Sequence, residues 1–343
     1  EVIVDQRKEN YESEDKDEDK DKDKDKDKNK NKNKREVEEH TIPKEIRDNK
    51  SYKSPQHQLS YICEQYLDNL KTGYGSWSEL EAKFGTGRGN SSINRQDYDN
   101  VVKKLKSLGF VCPNESGSYT LKIQPEFLDL HTGEFKNAKD IENFRAEIRG
   151  MDAIQSYCAN DNLEMINNSH SSKVTLMRKV NMSHGKYPIW SANFDDFNFR
   201  VSLKNELSVN KFGKVGLGVF ADWNKSKKIF RYMNRVTFTH PDHPFKIDLS
   251  IVRSSSSDNR GNLLKTFNIA DSNVFNNSQT FEIEVEANNT ATSIKYSVTQ
   301  YELLVADLKT SIKFVMCGLQ HTNYPVSKSE QKTTQDEYFR ILF

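Results

Sequence analysis

The chain has 343 residues, enough for one large domain or two ordinary ones, and its formal net charge is +1. That near-neutral balance excludes a global field for nucleic acid, so any basic site must be local. With 34% hydrophobic residues and a mean hydropathy of -0.85, the chain holds no bilayer-length apolar run and no secretory h-region. A soluble, intracellular protein with no membrane partner is expected.

Residues 1–54 stand apart. The run "DKDKDKNKNKNK" is low-complexity and well mixed in charge. It cannot bury enough apolar surface to offset chain entropy, so a disordered, solvated tether is expected. The body starts at Pro55. "HQLSYICEQYLDNL" sets Leu59, Ile62, Cys63, Tyr66, Leu67 and Leu70 at helical spacing. "GSWSELEAKFGT" follows as a short alternating strand bounded by glycines. "NRQDYDNVVKKLKSLGF" is a second helix that Asn94 or Asp97 can cap and Gly109 ends. "SGSYTLKIQPEF" is a strand. "NAKDIENFRAEIRGMDAIQSYC" reads as a third helix, with Ile141, Phe144, Ile148, Met151, Ile154 and Tyr157 on one stripe.

From Lys173 onward strand follows strand: "KVTLMRKV", "FNFRVSLKNEL", "KKIFRYMNRVTFT", "FKIDLSIVRS" and "TFEIEVEAN", with turns such as "SSSSDNRGN" between them. "SVTQYELLVADLKTSIKFVMCGL" closes the body as a helix, and residues 325–343 read as a linker or helix toward a further domain. The chain begins on Glu1 and closes on "YFRILF", which reads as a piece of a longer protein. Strands with few helices predict an antiparallel β domain, closed or nearly so, in an α+β chain.

Each of these strands has an apolar face, such as Phe281, Ile283 and Val285, and a charged one. Taken singly, a charged face is the ordinary wet outer face of a β protein. Taken together the charges sort themselves. "SELEAKF" carries Glu79 and Glu81, and "FEIEVE" carries Glu282, Glu284 and Glu286. Arg200 and Lys204, Arg231 and Arg235, Lys246 and Lys122 lie on the other strands, with Asp248 among them. If helices packed outside bury the apolar faces, the charged faces meet in the middle. Carboxylates there suit a hard divalent cation, Mg²⁺ or Mn²⁺, and Arg and Lys suit phosphate oxygens. Glu79, Glu81, Glu282 and Glu284 would form one metal site.

The other signals are weaker. Cys63, Cys112, Cys158 and Cys317 form no CxxC pair and read as free thiols in a reducing compartment. His170, His184, His240 and His243 have no ligand spacing, and "GTGRGN" lacks the Lys-Ser/Thr of a phosphate-binding loop.

Two "ExE" strands far apart, with Arg/Lys-rich strands between them, resemble the triphosphate tunnel metalloenzymes. "ELEAKFGTG", "DYDNVVKKLKSLGF", "NFRAEIRGMDAIQSYC" and "FKIDLSIVRSS", in that order, resemble the RNA 5'-triphosphatase domain of giant-virus mRNA capping enzymes. The resemblance covers residues 59–324 and implies an eight-stranded antiparallel β-barrel. It also implies removal of the γ-phosphate from 5'-triphosphate RNA, leaving a diphosphate end. Guanylyltransferase and methyltransferase domains would follow on the same polypeptide, in the cytoplasm, the viral factory or the virion. No KxDG nucleophile occurs in this chain.

Carried over by residue, Glu79, Glu81, Glu282 and Glu284 would hold Mg²⁺ or Mn²⁺. Lys122, Lys179, Arg200, Lys204, Arg231, Arg235 and Lys246 would hold phosphate. Glu284, Glu286, Asp248 and Arg235 would carry the catalysis, with Glu284 or Glu286 positioning the water. Met233 stands where the family often has a basic residue, which removes one phosphate contact. Arg253 has the wrong parity to face the tunnel unless a bulge intervenes. Two other readings remain: a tunnel enzyme acting on nucleoside triphosphate or inorganic polyphosphate, and a non-catalytic charged β module that binds RNA or protein.

Overall fold

The computed structural model describes residues 54–72, 77–85, 92–128, 135–136, 144–181 and 189–342. The tether expected over residues 1–54, apart from Ser54, lies outside the described residues, as do His184 and most of "GTGRGN".

Helix α1 spans Pro55–Lys71, capped by the Ser54 hydroxyl. Strand β1 is Ser78–Phe84. Helix α2, Arg95–Ser107, starts in a capping box in which Asn94 and Asp97 both take part. Strand β2 is Ser118–Pro125, β3 is Phe127–Leu128 and β4 is Phe135–Lys136.

The third expected helix is half wrong. Phe144–Arg149 is strand β5, and only Met151–Asn160 is helix, α3. Phe144, Ala146 and Ile148 are buried in alternation, so a period of two won over the helical stripe. Gly150, at φ 89°, makes the turn between strand and helix.

Helix α4 is Leu163–Ser169, β6 is Val174–Asn181, β7 is Ser191–Phe194 and β8 is Phe199–Val209. Helix α5 is Lys214–Asp222; β9 is Lys228–His240, β10 is His243–Ser254 and β11 is Thr280–Ala287. Helices α6, Asn289–Lys295, α7, Tyr301–Gln320, and α8, Lys328–Leu342, close the chain.

The strands form an antiparallel sheet in the order β1-β11-β10-β9-β2-β5-β6-β8, closed by pairing of β8 with β1. This is the eight-stranded barrel that the resemblance implies, with helices outside as the strand patterns predict; β7 adds a ninth strand on β8. Two apolar cores cover its outer surface. One packs α1, α2 and α7 on β1, β8, β10 and β11 through residues such as Ile62, Leu80, Val101, Ile247, Val285 and Leu308. Gly318 lets α7 lie close on α2, since a Cβ there would meet Val101 Cα at 2.9 Å. The other core packs α3, α4 and α5 on β2, β5, β6 and β9 through Leu121, Ile148, Tyr157, Leu176, Val219 and Phe230. With both outer sectors apolar, the pleat sends every alternate residue into the lumen.

Candidate active site

The lumen encloses a cavity of about 580 Å³ lined almost wholly by ionic side chains. Among the described residues, nine are lysine or arginine and six are glutamate. The register decides which of them meet. Glu81 stands opposite Glu286 and Lys83 opposite Glu284, between β1 and β11. On the other side of β1, Glu79 faces Lys204, Glu81 faces Ser202 and Lys83 faces Arg200. Across β10 and β11, Lys246 pairs with Glu286, Asp248 with Glu284 and Ser250 with Glu282. The expected carboxylates are therefore on one wall. Glu282 is the outlier: it lies two positions beyond Glu284, at the far end from Glu79, and pairs with Arg231.

Lysines thread the carboxylates. Lys83 Nζ lies 2.7 Å from Glu284 and 3.2 Å from Glu81. Glu81, 1% exposed, also accepts hydrogen bonds from Lys204 and the Ser202 hydroxyl, both at 3.1 Å. Lys179 donates to Glu79 and sits 3.1 Å from Glu206. Lys246 is 3.1 Å from Glu286. Arg235 is a fork: it donates to Asp248 at 3.0 Å, Ser250 at 2.9 Å and Glu284 at 2.8 Å. Thr237 donates to the other oxygen of Asp248 at 2.6 Å. Asp248 thus orients a basic neighbour.

These contacts set the protonation states. Burial works to raise Glu284, but Lys83 and Arg235 outweigh it and hold the carboxylate well below its usual range. Burial also opposes Glu81, and Lys83, Lys179 and Lys204 bring it down. Glu286 goes the other way. Burial pushes it up to about 7 against the pull of Lys246, with Glu79 and Asp248 adding repulsion. Glu79 is likewise raised, by burial and then by Glu81.

Two groups were not foreseen. Because β5 was read as helix, Arg145, Glu147 and Arg149 were assigned to no site; all three line the cavity. Glu147 accepts from Arg145 at 2.7 Å and Arg149 at 3.0 Å, with Lys122 at 3.6 Å. Burial opposes its ionisation, yet these three cations bring it down to about 2. Arg145 reaches on to Glu206 at 2.9 Å. The signal was present as the alternation in "FRAEIR". Lys83 was missed although it shares a face with Glu79 and Glu81.

Among the expected phosphate binders, Lys122, Lys179, Lys204, Arg231, Arg235 and Lys246 line the cavity. Arg200 stands opposite Lys83 in the ladder but is not part of the cavity wall. Met233 and Val252 pair across β9 and β10, both buried, as an apolar spot on the lumen face. Arg253 pairs with Tyr232 in unbroken register and faces out of the barrel, where it donates to the Phe275 carbonyl.

Among the described residues, no three acidic, histidine or cysteine side chains converge as they stand to hold a metal ion. Lysine ammonium groups sit between the carboxylates instead. The donor chemistry nonetheless suits a hard cation: Glu79, Glu81 and Glu286 supply oxygens only, and burial raises Glu79 and Glu286 despite Lys179 and Lys246 beside them. No helix among the described residues is long and apolar enough to cross a membrane.

No family model and no curated protein matches the chain. Among solved structures it is similar to two of the S. pombe Pct1 RNA triphosphatase, each with a TM-score of 0.40 and 13% identity. The first covers 80% of this chain and 93% of that one. The second, in complex with the Spt5 CTD, covers 75% of this chain and 92% of that one.

Proposed function

We propose that the chain is a metal-dependent RNA 5'-triphosphatase. It would hydrolyse the γ-phosphate of triphosphate-ended RNA to a diphosphate end, the first step of mRNA capping. The observation that carries this reading is the lumen itself: carboxylates of two hydrogen-bonded strands face a wall of lysine and arginine inside a closed barrel. A polyphosphate is the guest such a wall complements. The domain boundary at residue 54 is drawn from the low-complexity composition before it; the boundary at residue 324, the capping domains after it and the viral setting are drawn from the sequence resemblance.

Glu79, Glu81 and Glu286 are the residues that would hold Mg²⁺ or Mn²⁺, and Lys179 and Lys246 would release them to phosphate. Once bound, such a cation polarises a phosphate oxygen. Arg235, fixed by Asp248, and Lys83, fixed by Glu284, neutralise charge that develops on the γ-phosphoryl group. Lys122, Arg145 and Arg149, oriented by Glu147, hold the remaining phosphates. Glu284 is too firmly paired with Lys83 and Arg235 to take a proton, which leaves Glu286 to position the attacking water.

Phosphate release from γ-labelled triphosphate RNA with Mg²⁺ or Mn²⁺ tests this. Release lost in Glu81→Ala and Glu286→Ala, and retained in part in Glu282→Ala, is the expected result. Equal loss in Glu282→Ala with Glu286→Ala intact would move the cation to the other end of β11. Release from inorganic polyphosphate alone would favour the second tunnel reading. No release from any triphosphate, with no thermal shift on adding Mn²⁺, would leave a binding module.

A further inference from the structure

The tunnel has a covered part and a shallow one. Glu81 is fully covered, and Glu79, Lys179 and Lys204 largely so. Arg231 and Glu282, by contrast, have side chains 38% and 34% exposed. On that shallow side the lining changes character. Ile229 shares the lumen face with Arg231 at the start of β9, and Leu263 lines the same cavity while remaining 38% exposed. An exposed leucine on the wall of an ionic cavity has no partner of its own kind in the guest's phosphates.

The segment that carries Leu263 is built rather than loose. It is a tight return in which Ser257 bridges Leu263. Asp258 accepts the Arg260 and Asn262 amides, each at 2.8 Å. The Leu264 amide donates to the Ser256 carbonyl at 2.7 Å. Lys228 and Thr266 exchange backbone hydrogen bonds, and buried Lys228 Nζ donates to the Phe267 carbonyl at 2.6 Å. A rim fixed at this many points presents its side chains without an ordering cost on binding.

We propose that Leu263, with Ile229 on the wall of the same cavity, is the contact surface for the first nucleoside of a triphosphate-ended strand. This rests on the functional reading above. A triphosphate whose terminal phosphate lies at Glu79, Glu81 and Glu286 directs its ester oxygen toward the shallow end. Beyond that oxygen come an uncharged ribose and base, and an apolar rim matches them where more lysine would not. Inorganic tripolyphosphate has nothing to place there, so the rim separates a nucleic-acid end from a bare polyphosphate.

The test is calorimetric binding, with Mn²⁺ present, of a 5'-triphosphate trinucleotide and of inorganic tripolyphosphate, both with non-hydrolysable methylene bridges between their phosphates. Wild type is compared with Leu263→Asn and Leu263→Phe, each checked for an unchanged melting temperature. Leu263→Asn should weaken the trinucleotide by about tenfold, the equivalent of about 1.4 kcal/mol. It should move tripolyphosphate by less than about twofold, and Leu263→Phe should restore the trinucleotide. Equal effects on both ligands, no effect on either, or a wild type that prefers tripolyphosphate would overturn the inference and leave the tunnel reading in place. Failure of wild type to bind either ligand would overturn both.

Discussion

The two faces of each barrel strand live under different rules. On β1, Leu80 and Ala82 are buried in the outer core, while Glu79, Glu81 and Lys83 face the lumen. The outer face is held by area, which is non-directional and tolerates exchange of one apolar residue for another. The inner face is held by pairs, each specific to its partner and each costly to break singly. Buried ion pairs are poor evidence of stability, so the lumen's concentration of them needs another reason. Under the proposed function, the outer face keeps the barrel closed and the inner face does the chemistry.

The sharpest way to break that contrast is to change neighbours on one strand. Glu81→Gln keeps the size and removes the charge. Phosphate release should fall about a thousandfold, or about 4 kcal/mol of transition-state stabilisation. A much smaller loss, measured on folded protein, would put the chemistry elsewhere. Leu80→Ala, the adjacent residue, should do the converse. It should cost about 2–5 kcal/mol in chemical denaturation, because a fully buried side chain leaves a cavity. Activity per folded molecule should change far less than in Glu81→Gln. If the two variants behaved alike, the division between faces would fail.

A third change probes pairing inside the lumen by pH. The Glu147 carboxyl is held near 2, below the ordinary carboxylate value, so the unfolded chain binds its proton first as pH falls. Its stabilising contribution is complete above the ordinary value and is lost as pH drops toward 2. The total is about 3 kcal/mol, because each tenfold difference in proton affinity between the folded and unfolded chain is worth about 1.4 kcal/mol. Glu147→Gln should flatten that part of the acid unfolding curve. An unchanged slope would mean that Lys122, Arg145 and Arg149 do not depend on it.

The outer face was the legible one. Apolar alternation in "FKIDLS" and "FEIEVE" shows up as the buried set Ile247, Leu249, Ile283 and Val285, because a strand's side-chain period is fixed by the backbone. The inner face was legible only as a class. That Glu282, Glu284 and Glu286 share a face follows from parity, but which of them meets Glu81 depends on register. No local pattern prints register; the Glu81–Glu286 pairing comes from the long-range pairing of β1 with β11. The β5 residues were hidden for a different reason. Phe144, Ile148 and Met151 also satisfy a helical stripe, and the true helix begins only two residues after the strand ends. A short apolar run carries both periods, and tertiary pairing chose between them.

One residue crosses the division, and over the first pH unit above 8 it gives the smallest expected effect. Lys228 shares the outward parity of Phe230 and Tyr232, and it is 1% exposed against the second core. Its ammonium donates to the Ser226 carbonyl at 2.8 Å and the Phe267 carbonyl at 2.6 Å, and lies 5.4 Å from the Trp223 ring centroid. Burial lowers its pKa to about 8, with Asp161 pulling back only weakly. The slope has the same sign as for Glu147, because both values are depressed on folding, but here burial costs the charged form where at Glu147 pairing favours it. Between 8 and the ordinary lysine value the unfolded chain binds more protons, so this group adds stability as pH rises through that window. The slope is at most about 1.4 kcal/mol per pH unit. The stability difference between wild type and Lys228→Met should be flat below pH 8 and grow in favour of wild type above it; groups common to both proteins cancel. A flat difference throughout would show that the two carbonyls and the Trp223 ring compensate the buried charge in full. Lys228 would then belong with the paired residues of the lumen, and the rule separating the two faces would be about pairing rather than position.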